Sequence, residues 1–266
     1  MRLLDLFCCE GGASRGYHRA GFDVYGVDLF ATYSQKRYPY ASHKGDALAA
    51  MATLLSGGAL TFTHKDGTLE RLTLADLVAL AASPPCQRFS AGTKGLTAAQ
   101  REKHPDLIGP TRELLRATGL PYVMENVEGS PLINPLTLCG TMFDLGAEDS
   151  DGVWLSLKRH RLFESPIFLY PPDQCRHGLH PTAGVYGHGG QHARVFGGVY
   201  GGARNTREGA KERRGGYVPK DKAVRAALLG LDAEEHTNAG LAQSIPPAYT
   251  AHIGDQIAAH LGRNAA

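Results

Sequence analysis

Six consecutive apolar residues, Leu77-Val78-Ala79-Leu80-Ala81-Ala82, run straight into Ser83-Pro84-Pro85-Cys86-Gln87, and this junction constrains the chain more than any other stretch. The run has the length and continuity of a strand covered on both faces, the pattern of a parallel sheet. The two prolines forbid it to continue, since proline supplies no N–H to a ladder. Cys86 is thereby expected in a stiffened turn at the carboxyl end of a parallel strand, where folds of this class collect reactive groups. One intracellular thiol taken alone is more commonly a small buried hydrophobe than a nucleophile. Other residues have to decide between the two.

The first 50 residues supply a second parallel-sheet signature. Leu3 to Phe7 reads as a strand, Glu10-Gly11-Gly12-Ala13 as a tight turn, Ser14 to Ala20 as a helix ended by Gly21, and Val24 to Asp28 as the next strand. A glycine turn between strand and helix aims N–H groups and the helix N-terminus at a ligand, and an acid ending the next strand suits ribose hydroxyls. The turn lacks a full GxGxxG, so it is weak evidence by itself. Lys65-Asp66-Gly67 marks a hairpin within residues 61 to 73. Arg112 to Thr118 reads as helix, and Pro121 to Met124 as a short strand delivering Glu125-Asn126 at its end. Ala223 to Leu229 reads as helix, and Tyr249, Ile253, Ile257 and Leu261 share one face of a closing helix.

Charge divides the chain. Its net +2 resolves into +5 over residues 166–222 and −3 elsewhere. That basic segment holds twelve glycines and an echo, Gly184-Val185-Tyr186-Gly187 against Gly198-Val199-Tyr200-Gly201, which suggests two small strands in a loop-rich lobe. A basic segment on a slightly acidic body suits a polyanion partner, while a merely solvated loop accounts for the charge equally well. Cys175, His177, His180, His188 and His192 include a His-x3-His spacing that could hold zinc, but a loose histidine set among glycines is more often solvated or phosphate-facing, so no metal is assigned. Five cysteines, an odd number, fit a reduced compartment rather than a disulfide framework. No window is apolar enough to span a membrane and the first residues lack a signal-peptide core, which together predict a cytoplasmic protein with no membrane partner.

Taken in order, Asp5-Leu6-Phe7-Cys8-Cys9-Glu10-Gly11-Gly12, Gly26-Val27-Asp28, Gly45-Asp46, Pro84-Pro85-Cys86-Gln87, Glu125-Asn126-Val127 and Arg159-His160-Arg161-Leu162-Phe163 resemble the C5-cytosine DNA methyltransferases. The resemblance covers residues 2 to about 165 and resumes near 223, where Ile245-Pro246-Pro247 is similar to the end of the family's last motif. It implies a Rossmann-like α/β methyltransferase domain made of residues 1–165 and 223–266. The basic lobe, 166–222, falls where the family keeps its target-recognition region. The short length is similar to compact phage enzymes, some of which accompany a restriction endonuclease, and a monomer is expected.

The implied chemistry is coherent. Cytosine C5 is a poor nucleophile until C6 has been attacked, and a soft thiolate suits that attack. The resemblance makes Cys86 the nucleophile, Glu125 the acid facing N3 and the exocyclic amine, Arg161 the anchor of the base carbonyl or of the cysteine loop, and Arg159 its support or a phosphate contact. Asn126 accompanies Glu125 in the same motif. For S-adenosylmethionine it implies Phe7 and the backbone of Glu10, Gly11 and Gly12 around methionine and adenosine, Asp28 on the ribose, Asp46 near the adenine amine, and Leu29, Ala47 and Pro84 beside them. For double-stranded DNA, whose target base must be flipped out of the stack, it implies Gln87 and Ser90 in the cysteine loop and Arg194, Arg204, Arg207, Lys211, Arg213 and Arg214 in the lobe. Tyr186 and Tyr200 would stack or space. Family relatives use the same motifs on transfer RNA, so an RNA substrate is the nearest alternative, and a non-catalytic nucleic-acid-binding relative is another. A nicotinamide oxidoreductase would leave Pro-Cys-Gln and Glu-Asn-Val without a role.

Three positions depart from the family pattern. Cys9 stands where glycine is usual, which matters if the backbone there has positive φ. Leu29 replaces a frequent aromatic, and Ala242-Gln243-Ser244 replaces Gly-Asn-Ala. All three bear on cofactor affinity rather than on the chemistry.

Overall fold

The computed structural model describes residues 1–30, 34–90, 97, 99, 102–185 and 217–264. The chain begins β1 (Arg2–Leu6), α1 (Gly12–Arg19) and β2 (Asp23–Asp28), as the glycine turn and its flanking runs predict, and continues with α2 (Ser34–Arg37), β3 (Ala41–Lys44) and α3 (Ala47–Leu55). A hairpin, β4 (Leu60–Thr63) and β5 (Leu69–Leu72), follows with Gly67 at φ +87 in its turn. Next come β6 (Ala79–Ala82), α4 (Ile108–Ala117), β7 (Tyr122–Asn126), β8 (Leu136–Leu138), β9 (Gly146–Glu148), β10 (Trp154–Leu157), β11 (Arg161–Glu164) and β12 (Thr182–Ala183). Three helices close the chain: α5 (Lys222–Leu229), α6 (Asn238–Gln243) and α7 (Pro247–Asn264).

Among the described residues one large sheet runs in the order β5-β4-β3-β2-β1-β6-β7-β11-β8. Its centre, β3-β2-β1-β6-β7, is parallel, while β4, β5, β11 and β8 extend it in antiparallel fashion. The expected strand over 77–82 is real but shorter. Ala79–Ala82 is wholly buried between β1 and β7, and Leu77 and Val78 form its approach. Glu125 and Asn126 are the last residues of β7 rather than the first beyond it.

Both sheet faces are covered. On one, Ala47, Met51 and Leu54 of α3 with Ile108 and Leu115 of α4 meet Leu4, Leu6, Val27 and Leu80. On the other, Tyr249, Ile253 and Ile257 of α7 pack with Tyr17 of α1 against Leu3, Val24 and Ala81. Those three α7 side chains are fully buried, about 2 kcal/mol each on an area basis. The contact of α1 with α7 is close enough that a Cβ on Gly16 would lie 1.9 Å from the Thr250 hydroxyl, so only glycine fits there.

A second, smaller core joins β9, β10 and β12 to α5 and α6 through Ala147, Leu155, Leu157, Ala183, Val224, Leu228 and Leu241. Residues from before 166 and after 222 thus form one apolar unit with Ala183 and Val185, which lie inside the expected 166–222 lobe. Of the two strands expected at 184–187 and 198–201, only Gly184 and Val185 are described, and they lie just beyond β12 rather than in a strand. Among the described residues no helix is long and apolar enough to cross a membrane.

Candidate active site

Strand order fixes where a ligand can sit. From β1 the chain moves outward through β2 to β3, then returns to β6 on the opposite side of β1 and moves outward to β7. The crevice beyond the carboxyl ends of β1 and β6 is therefore the switch point of the sheet, the usual ligand position in such folds. Two segments flagged in the sequence emerge there side by side: Phe7–Gly12 after β1 and Ser83–Gln87 after β6. The Ser83 N–H donates to the Leu6 carbonyl at 3.1 Å and ties them together.

Three strand ends bring the reactive groups into one place. Cys86 follows β6, Glu125 ends β7 and Arg161 opens β11, whose partner across the ladder is β7. Arg161 Nε lies 3.1 Å from Glu125 Oε1, with both residues 8% exposed. Burial pushes the Glu125 carboxyl up, against the lowering influence of Arg161, Arg159 and a hydrogen bond with Ser83. Burial and the Glu125 charge push the Cys86 thiol up, and the two arginines partly oppose this. Cys86 and Glu125 thus lie within one electrostatic neighbourhood, the carboxylate charge raising the thiol.

Asn126 acts on the cysteine loop. Its side-chain amide donates to the Pro84 carbonyl at 2.9 Å, and its oxygen accepts from the Val127 N–H at 2.9 Å, so this buried residue fixes the proline turn from the neighbouring strand. The Cys86 carbonyl in turn accepts from the Phe89 and Ser90 N–H groups. Gln87 is exposed on the rim of this turn and Ser90 is half-buried.

Arg159 is fully buried. Its guanidinium donates to the carbonyls of Val185 at 2.7 Å and Ala242 at 2.8 Å, and its own carbonyl accepts from the Tyr249 hydroxyl at 2.6 Å. Of its two expected roles, this geometry fits support of the arginine-bearing turn and leaves no surface for a phosphate. Ser83, Val185 and Tyr249 stood in the sequence only as members of the proline turn, the glycine-rich echo and the closing helix, and their contacts here are set by the fold.

On the other side of the crevice the backbone is unusual. Phe7, Cys9 and Gly11 have φ of +60, +49 and +81. Cys9 therefore occupies the left-handed conformation that its glycine-like position implied. Its Sγ lies 3.3 Å from Gln243 Oε1, so two of the departures from the family pattern touch each other. The Glu10 carboxylate is buried and accepts from the Thr237 N–H at 2.9 Å and hydroxyl at 2.8 Å ahead of α6. A Cβ on Gly240 would lie 1.8 Å from it. Behind the turn, burial pushes the Asp5 carboxyl up to about 7, and Ser14 donates a hydrogen bond to it.

Asp28 ends β2 with Oδ2 accepting the Cys9 N–H at 2.8 Å and Oδ1 the Phe30 N–H at 3.0 Å. A carboxylate has about four lone-pair sites, so two remain for hydroxyl donors. Asp46 caps α3, accepting the Ala49 N–H at 2.8 Å, and is exposed. Leu29 is 66% exposed, while Ala47 and Pro84 are buried. This set at the ends of β1, β2, β3 and β6, an apolar side chain with carboxylates that retain accepting capacity, fits an adenosine-bearing cofactor. Arg194, Arg204, Arg207, Lys211, Arg213 and Arg214, with Tyr186, Tyr200, His188 and His192, lie outside the described residues.

No family model matches the chain, and no curated protein does. Solved structures do. A prophage-encoded DNA modification methyltransferase from E. coli aligns over 98% of this chain and 99% of its own, with a TM-score of 0.55 and 13% identity. The Entamoeba histolytica methyltransferase EhMeth gives 98% of each chain, a TM-score of 0.56 and 11% identity. The S. pombe Dnmt2 methyltransferase gives 98% and 99%, 0.54 and 12%. Over nearly its whole length, the chain has the fold of these methyltransferases.

Proposed function

We propose that this protein methylates C5 of cytosine in a short double-stranded DNA sequence, with S-adenosylmethionine as cofactor, through a covalent bond between Cys86 and C6 of a flipped base. The convergence of Cys86, Glu125 and Arg161 from three adjacent strand ends carries the reading. When bound in the crevice, the cofactor supplies the electrophilic methyl group.

The chain's own residues do the rest. Cys86 Sγ, as thiolate, forms the bond to C6, and the electron pair displaced from the C5–C6 double bond moves toward N3. Protonated Glu125 donates its proton to N3, which leaves C5 enamine-like and nucleophilic. After transfer, loss of the C5 proton to solvent restores the C5–C6 double bond and expels the Cys86 thiolate, and N3 returns its proton to Glu125. Arg161 holds Glu125 in place, Asn126 holds the turn that carries Cys86, and the buried Arg159 anchors the segment bearing Arg161. Asp28 would receive the ribose hydroxyls and Leu29 would cover one adenine face.

Incubation with duplex DNA containing 5-fluorocytosine, which cannot lose a proton from C5, should trap one protein–DNA adduct per chain in the presence of cofactor. No adduct with intact Cys86, on DNA from a random-sequence pool, would overturn the mechanism. Parallel reactions with transfer RNA and labelled methyl distinguish the nucleic acid, since equal or greater transfer to RNA would replace DNA as substrate.

A further inference from the structure

Outside the crevice, four soft donors from three chain segments meet. Cys139 follows β8, His160 lies between β10 and β11, and Cys175 and His177 belong to the segment after β11. Their ligating atoms all lie within 4.8 Å of one another. Cys139 Sγ is 3.3 Å from His177 Nε2, Cys175 Sγ is 3.4 Å from His160 Nε2, and Cys175 Sγ is 2.8 Å from His177 Nε2. A tetrahedral zinc with ordinary Zn–S and Zn–N bonds separates its ligand atoms by roughly 3.3–3.8 Å. We propose that Cys139, His160, Cys175 and His177 form a structural zinc site of Cys2His2 type.

The surroundings support a closed site. His160 turns Nε2 into the cluster and Nδ1 toward Glu128 Oε1 at 3.2 Å, the carboxylate–histidine arrangement that fixes a metal-binding tautomer. The Thr141 hydroxyl lies 3.5 Å from both sulfurs and also accepts the Arg176 N–H at 3.1 Å, so the sulfur-bearing segments are held by the same residue. Two thiolates and two neutral imidazoles cancel the charge of a divalent ion, and with four protein ligands no open position remains for catalysis. His180, the other described histidine of the sequence cluster, is not in the group.

The metal would do what the apolar core does not do here. Residues 171–176 are all exposed, and Phe168 and Leu179 on either side are 88% and 69% exposed. A segment with so little apolar burial gains order from a cross-link, and metal binding supplies that as folding free energy. The clip ties residues 175–177, which lead into β12, to the turn that holds Arg159 and Arg161. It stands independently of the methyl-transfer reading, because metal content can be measured without any substrate.

The test is elemental analysis of the full chain, expressed with zinc supplementation and purified without chelator. One zinc per chain is expected, retained in Cys86→Ser and reduced at least tenfold in a Cys175→Ala, His177→Ala double variant of unchanged circular dichroism. Cobalt exchanged into the wild-type protein should give the intense visible bands of a tetrahedral site with thiolate charge transfer, a readout that holds even if the double variant fails to fold. Less than one tenth of a metal ion per chain, a Cys139–Cys175 disulfide without metal, or cobalt bands unchanged in the double variant would each overturn the site.

Discussion

The two sides of the crevice are built differently. At the ends of β1, β2 and β3 the carboxylates of Glu10, Asp28 and Asp46 accept N–H groups from Thr237, Cys9, Phe30 and Ala49. At the ends of β6, β7 and β11, Glu125 depends on the Arg161 guanidinium and Cys86 on a turn held by the Asn126 side chain. A ligand cradle made largely of main chain tolerates changed side chains, because the N–H groups stay where the backbone puts them. A cluster of mutually dependent side chains does not, because removing one strands another in a buried setting. The departures Cys9, Leu29 and Gln243 all fall on the first side, and none falls among Cys86, Glu125 and Arg161.

The comparison predicts its largest effect at Cys86. Cys86→Ser should reduce adduct formation below detection, while binding of S-adenosylhomocysteine measured by calorimetry stays within a few-fold of wild type. A comparable loss of cofactor affinity would mean that the two sides are not separable.

Glu125→Gln should slow methyl transfer by about 10²–10⁴-fold, the range for loss of a positioned general acid, with DNA affinity little changed. The pH profile carries the same information. Both the Glu125 carboxyl and the Cys86 thiol are raised, so the reactive form, with a single proton shared between the two groups, exists between their apparent pKa values. Adduct formation should rise as pH climbs through the raised carboxyl value, where the doubly protonated pair loses a proton, and fall as pH passes the raised thiol value. In Glu125→Gln the acid limb should move, since the thiol then titrates without a neighbouring carboxylate. An unchanged bell would remove the coupling.

Arg161→Ala should come next. Breaking a buried ion pair from one side costs about 3–5 kcal/mol because the partner remains, so a lower melting temperature is expected together with a further raised Glu125 carboxyl. Arg161→Ala, Glu125→Gln together should recover part of that stability by removing the stranded charge. No recovery would show that Arg161 acts through packing.

The legibility of these two sides in the sequence also differs. The fold was readable because Leu77–Ala82 is a continuous apolar run stopped by prolines and Leu3–Phe7, broken only by Asp5, leads into a glycine turn, the pattern of buried parallel strands. Cys86 and Glu125 were readable because each follows or ends a strand within an ordered motif, and Arg161, which opens β11, only through the resemblance of the run Arg159–Phe163. Contacts across long separations were not. The pairing of Cys9 with Gln243 spans 234 positions, and that of Arg159 with Ala242 spans 83. Their partners are set by where α6 lands on the sheet, which no local spacing encodes. The Cys139 and His160 donors were missed for the same reason. The histidine-rich stretch drew attention to its own neighbours, while the fold brings two of its residues to Cys139 and His160, on segments of the main domain.

The smallest predicted effect separates the two designs most finely. If the cofactor side is held by main chain, Cys9 and Gln243 should behave as a coupled local adjustment rather than as essential groups. Cys9→Gly relieves a left-handed φ that costs a side-chain-bearing residue about 1–2 kcal/mol, but it removes the contact to Gln243 Oε1. Gln243→Asn shortens the partner and breaks the same contact without touching the turn. Each single change should alter S-adenosylhomocysteine affinity by less than about tenfold, and the double-mutant cycle should show a coupling of about 0.5 kcal/mol or more, since the residues touch. Additivity within about 0.3 kcal/mol would mean the contact contributes nothing. A loss of affinity beyond a hundredfold from either change alone would show that this side, too, is held by side chains, and the contrast between the two sides would fail.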